Sequence, residues 1–125
     1  MAKRKRFTDD ETLVQCIVNA MQDKKARQIV TINFEQLKNS VSDYFVICHG
    51  DNTPQVQAIA SAVEFDVRKE ISLHPTSVEG VQNAEWILID YGSVVVHIFK
   101  EPARKFYHLE DLWADAVFTQ HQEKG

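Results

Sequence analysis

The chain has 125 residues, 44% of them hydrophobic, and two cysteines. That is enough for one domain with its own core, held without disulfides or a structural metal, and no apolar run approaches the ~18 residues of a membrane span. The net charge is −4, of which Lys3, Arg4, Lys5 and Arg6 contribute +4, so residues 7–125 carry −8; a body of that charge is repelled by phosphate backbones and suits a basic protein partner. The basic leader, residues 1–7, is not followed by an apolar stretch. It reads as a solvated flexible tail and not as a secretory signal. With Cys16 and Cys48 outside any CxxC spacing, the compartment expected is the reducing cytoplasm.

Thr8-Asp-Asp-Glu11 has the form of a capping box, and Leu13, Ile17, Ala20 and Met21 follow at helical spacing. This first helix is expected to end near Asp23–Lys25. A strand is expected over Gln28–Ile32, then one or two helical turns at Phe34–Lys38. Tyr44-Phe-Val-Ile-Cys48 is nearly all apolar, the pattern of a central strand covered on both faces. Thr53 as N-cap and Pro54 as first residue open a second long helix, with Val56, Ile59, Ala60, Val63 and Val67 on one side. His74–Gly80 reads as a short edge strand.

Glu85–Phe99 then reads as a hairpin folded at Gly92-Ser93, a glycine-first pair that suits a two-residue type II′ loop. That loop sets the register from Tyr91 opposite Val94 to Trp86 opposite Phe99. One face carries Ile87, Ile89, Tyr91, Val94, Val96 and Ile98 and is core. The other carries Trp86, Leu88, Asp90, Val95, His97 and Phe99. It is either more core or a surface built to meet a partner. Glu101-Pro102 opens a last helix with Phe106, Leu109 and Trp113 as an i, i+3, i+7 stripe, widened by Leu112 and Ala116. Residues 117–125 are expected to fray. The domain is thus residues 8–116, an α/β (α+β) unit with a mixed sheet of about five strands, parallel crossovers early and an antiparallel hairpin late. Its helices lie mainly on one face, so part of the other is bare.

Enzyme signals are absent. His49-Gly-Asp-Asn-Thr-Pro54 has one glycine and no lysine, so it is neither a Walker loop nor a GxGxxG. Asp90 and His97 lie diagonally on paired strands, but no third metal ligand has a place, and the other histidines show no HxH or HExxH spacing. Cys48 and His49 are neighbours on a strand and point to opposite faces, so they are no nucleophile–base pair. No metal, cofactor or catalytic residue is expected. A tryptophan ringed by apolar groups beside one carboxylate has the composition of a protein-interface hot spot, and the unpaired look of Asp90 and His97 tips the mixed face toward exposure.

Ser42-Asp43-Tyr44, Ile47-Cys48-x-Gly50, Gln55-Val56-x-Ala58-Ile59-Ala60, Glu79-Gly80, Trp86-Ile-Leu-Ile-Asp-Tyr-Gly92, Val95-Val96-His97-Ile98-Phe99 and Arg104-x-x-Tyr107-x-Leu109-Glu110-x-Leu112-Trp113 together resemble the Iojap family, the ribosomal silencing factors (RsfS-like). The likeness spans roughly residues 9–114; Ser93 and Pro54 depart from residues common there, and the basic leader is extra. It implies a nucleotidyltransferase-like topology without the catalytic carboxylates. It also implies binding to large-subunit ribosomal protein fourteen, which blocks joining of the two ribosomal subunits and represses translation when nutrients are short. The family's partner-contacting positions carry over to Trp86, Leu88, Asp90 and His97; Val95 and Phe99 join them from the face argument. Little direct nucleic-acid contact and no membrane are expected, and the same face could pair two copies of the chain off the ribosome. A large-subunit assembly factor and a nucleotide-binding module are the alternatives.

Overall fold

The structure, a computed structural model, describes residues 10–35, 42–112 and 116–123. Helix α1 spans Asp10–Asp23, β1 Arg27–Asn33, β2 Tyr44–Gly50 and α2 Thr53–Ile71. Strands β3 (Ser77–Glu79), β4 (Trp86–Asp90) and β5 (Val94–Lys100) follow, then α3 (Glu101–Tyr107), a 3₁₀ turn at Leu109–Leu112, and β6 (Val117–His121). The sheet has six strands in the order β3-β4-β5-β2-β1-β6. Strands β2 and β5 run parallel, and the other four pairings are antiparallel.

Strand β2 is central, as its apolar run requires. The hairpin register is also as its loop dictates, from Asp90 opposite Val95 to Trp86 opposite Phe99. Gly92 takes a φ of +91°, a conformation glycine adopts without strain. The Asp90 carboxylate stiffens the turn by accepting from the Gly92 amide at 2.7 Å. Alternation then builds two cores. Ile87, Ile89, Val94, Val96 and Ile98 lie with Val46 and Cys48 under α1 and α2. On the opposite face Val30, Ile32, Phe34, Ile47 and Phe99 lie with Ala103 of α3 and Leu109 of the 3₁₀ turn. Among the described residues the second cover is short, and β4 is left partly exposed on that face.

Four expectations change. The first two strands, β1 and β2, are antiparallel rather than joined by a parallel crossover. The N-cap of α2 is Asn52, whose side chain accepts from the Gln55 amide at 2.9 Å; Thr53 is already helical. The last helix stops at Tyr107, where His108 turns left-handed (φ 45°). The Phe106–Leu109 stripe is therefore broken: Leu109 is buried, while Phe106 and Leu112 are exposed. Trp113 lies outside the described residues. Finally, Val117–His121 is not a frayed tail but a sixth strand, paired with β1 from Asn33 opposite Val117 to Ile29 opposite His121. It satisfies the row of backbone groups that β1 would otherwise present as an edge. Glu123 extends the seam by accepting from the Gln28 amide at 3.0 Å. The leader, the Thr8 cap and most of the Phe34–Lys38 segment lie outside the described residues.

Gly80 fixes the approach to β4. Its φ is +85°, and a Cβ there would sit 2.2 Å from the Trp86 carbonyl oxygen. Gly80→Ala therefore meets both a left-handed backbone and a backbone clash. It should lower the unfolding free energy by about 2 kcal/mol or more, read from the urea midpoint.

Candidate protein-docking face

Strands β4 and β5 place the mixed hairpin face beneath the partial roof of α3. The six residues divide by strand. Trp86, Leu88 and Asp90 on β4 are partly exposed. Val95, His97 and Phe99 on β5 are buried, Phe99 completely. The face is thus neither bare nor all core: β5 is its floor and β4 its accessible border. Its aromatic rings form a run. Phe34 lies edge-on to Phe45 at 4.9 Å between centroids, and Phe45 lies 4.4 Å from His97. Trp86 lies 5.0 Å from Phe99 and 4.9 Å from Tyr107, and Tyr107 meets Phe106 edge-on at 5.1 Å.

Helical periodicity misplaces Phe106 and leaves Tyr107 unassigned. They are 81% and 51% exposed. Helical periodicity assigned Phe106 to a core stripe because nothing in the pattern marks His108 as the end of the helix. The accessible border therefore runs Leu88–Trp86–Tyr107–Phe106, across two elements. Carboxylates rim it. Glu79 of β3 lies opposite Leu88 and Ser77 opposite Asp90, and Glu85 precedes Trp86 and pairs with Lys100 at 3.2 Å.

The polar groups of the face are not the unpaired charges that their types suggest. His97 is 3% exposed, and its Nδ1 accepts from the Trp86 indole N–H at 3.0 Å. Burial pushes its pKa down to about 4, so it is neutral at physiological pH. Asp90 is engaged with the turn amide. Neither is set up as a metal ligand, and no cluster of three or more candidate ligands exists among the described residues. Burial raises the Cys16 and Cys48 thiols to about 11 and about 12, the opposite of an activated nucleophile. At the start of α2 the Asp51 amide donates to Gln55 Oε1 at 2.7 Å and the Gln55 amide to Asn52, so those donors are satisfied within the chain.

The roof is pinned by Arg104, which is 5% exposed. Its guanidinium donates to the Gln28 carbonyl at 2.7 Å, to the Arg27 carbonyl at 3.4 Å and to Glu110 Oε2 at 2.7 Å. It also lies 3.1 Å from His49 Nδ1. A guanidinium only donates, so Nδ1 is the acceptor and His49 is neutral. Burial and the Arg104 charge both hold its pKa below the ordinary value. Burial alone would raise Glu110, but its hydrogen bond to Arg104 and the charge of that group more than offset this and hold it low. Arg104 thus ties α3 to β1 and β2, and so fixes Phe106 and Tyr107 relative to Trp86.

His97 makes stability pH-dependent with a definite sign. Its pKa is 6.5 when unfolded and about 4 when folded, so the unfolded chain takes up more protons between those values. The stability from burying a neutral imidazole is fully present above about pH 6.5 and is lost as pH falls toward 4. The loss expected from this residue is about 3 kcal/mol. Urea unfolding at pH 7 and pH 4 should show it, and His97→Gln should remove that share.

The fold is a single α+β domain whose sheet face carries a partly exposed aromatic border beside carboxylates. The chain belongs to the family described as "Ribosomal silencing factor during starvation", whose model matches residues 8–124. It is 44% identical to a Halalkalibacterium halodurans protein named "Ribosomal silencing factor RsfS" over 107 residues, 86% of this chain and 90% of that one. It is 30% identical to "Mitochondrial assembly of ribosomal large subunit protein 1" of Mus musculus over 105 residues, 80% of this chain and 44% of that protein. The fold matches a crystal structure of a Chromobacterium violaceum protein with a TM-score of 0.79 at 29% identity, covering 85% of this chain and 87% of that one.

Proposed function

We propose that this protein docks on the large ribosomal subunit at ribosomal protein fourteen, through the border Leu88–Trp86–Tyr107 with Asp90 beside it. Occupying that site keeps the small subunit from joining and represses translation under nutrient limitation. Membership of the silencing-factor family supports the ribosomal target. The observation that carries the choice of surface is the exposed aromatic border with its carboxylate rim, on a chain whose residues 7–125 carry −8. Trp86 would fill an apolar recess and Asp90 would meet an Arg or Lys. Val95, His97 and Phe99 act from beneath, as the floor that holds the border rigid. The reading assigns no reaction, cofactor or membrane contact to the chain, places it in the cytoplasm, and gives direct nucleic-acid contact little part. Off the ribosome the same apolar border would pair two copies.

The test is co-sedimentation with isolated large and small subunits, followed by a subunit-joining assay. The expected result is binding to the large subunit alone and a dose-dependent block of joining. Binding to neither subunit would remove the reading. A second reading, a role in assembling the large subunit, draws on the name of the mouse relative. Cells lacking the protein would then accumulate incomplete large subunits during growth; normal subunit profiles with unchecked translation in starvation would favour silencing.

A further inference from the structure

His97 is an odd residue to find under this face. Its ring is boxed by Phe45 at 4.4 Å and Phe99 at 6.4 Å, and it is 3% exposed. Because Nδ1 accepts from Trp86, the proton of the neutral ring must sit on Nε2. Nε2 is buried and has no hydrogen-bond partner among the described residues. Judged by stability alone, a phenyl or leucyl group would suit the cavity better, since it would leave no polar atom unsatisfied. The one hydrogen bond that the imidazole makes goes to the side chain at the centre of the exposed border. Trp86 is the largest group there, it is only partly buried, and an indole N–H that is not in water needs an acceptor. Among the described residues His97 Nδ1 is the acceptor that this N–H has.

We infer that His97 is a positioning residue for docking: it does not touch the partner, but its Nδ1 anchors the Trp86 indole in the orientation that lays it against Phe99 and Tyr107. The inference rests on the docking reading above and changes the part His97 plays in it. The geometry gives the anchor a specific chemical requirement. The residue at 97 must offer an acceptor toward the indole, and the residue at 86 must offer an N–H. Phenylalanine at either position keeps an aromatic ring and removes the bond.

The test uses the full chain and four variants: His97→Phe, His97→Gln, Trp86→Phe and the double Trp86→Phe/His97→Phe. Each is checked for folding by circular dichroism and titrated against isolated large subunits by co-sedimentation. His97→Phe should weaken binding about tenfold. His97→Gln, which can offer its amide oxygen to the indole, should stay within about threefold of wild type. In the Trp86→Phe background His97→Phe should add nothing, since the bond is already gone. Wild-type binding by His97→Phe would overturn the inference. So would equal losses in the Phe and Gln variants, or losses that add in the double variant, because either outcome makes His97 ordinary packing. A second arm needs no ribosome. With Trp113→Phe the chain keeps one indole, and hydrogen exchange at its N–H should be slowed in the parent and fast in His97→Phe. Equal exchange in both overturns the anchor even if binding falls. Slowed exchange in a wild-type chain that binds no subunit removes the docking reading and leaves the anchor standing.

Discussion

Arg104→Met is expected to cost about 3–5 kcal/mol of folding stability, the range for removing one partner of a buried ion pair. The guanidinium is nearly inaccessible and serves two carbonyls of β1, the His49 ring and Glu110 at once. Without it, Glu110 is left with Oε2 unpaired beside an Oε1 that is already buried without a partner. The Glu110 carboxyl should then titrate higher, so the variant should lose less relative to wild type in mild acid than at pH 7. The double variant Arg104→Met/Glu110→Leu should recover a large part of the loss, because replacing both charges removes the desolvation cost together with the attraction. Urea unfolding at pH 7 measures all three chains. A single variant within about 0.5 kcal/mol of wild type would mean that Arg104 pins nothing. Because α3 carries Phe106 and Tyr107, partial loosening should reach binding as well as stability.

Trp86→Ala should weaken association with the large subunit by about 2 kcal/mol or more, roughly 30-fold, while the domain stays folded. The side chain is partly exposed, so its loss opens the border more than the core; Ile98, fully buried on the other face, is the control whose truncation should instead unfold the chain. Affinity titrations on purified large subunits, paired with a thermal melt, separate the two effects. Wild-type affinity in a folded Trp86→Ala chain would show that the docking surface lies elsewhere. A variant that simply melts would return Trp86 to the core.

The two predictions draw on different levels of information. Trp86 was legible from the chain alone: period-two alternation on a hairpin of known register placed it on a face with Leu88 and Asp90. Arg104 was not. Its four partners come from residues 27, 28, 49 and 110, and nothing local in Ala103-Arg-Lys-Phe106 says that this arginine, and not the neighbouring lysine, turns inward. Phe106 was misassigned for a related reason. A helical stripe assumes that the helix continues, and apolar periodicity does not register the left-handed His108 that ends it, where the His108 amide donates to the Arg104 carbonyl and the Asp111 amide to the His108 carbonyl. Strand β6 escaped notice because a strand read in isolation shows only its own pattern; Val117–His121 is ordered by the open edge of β1, some ninety residues earlier.

By itself the sequence determined the elements up to the start of the last helix, the hairpin register, the central place of β2 and the family to which the chain belongs. Those follow from local periodicity, turn chemistry and motif order, all written within short spans. Only the tertiary structure decided how much of the mixed face is open. Burial depends on what covers a residue, so the same alternation that put Trp86, His97 and Phe99 together could not say that β5 is the floor and β4 the border. Nor could it show that His97 is buried, with its Nδ1 accepting from the indole N–H of the tryptophan beside it.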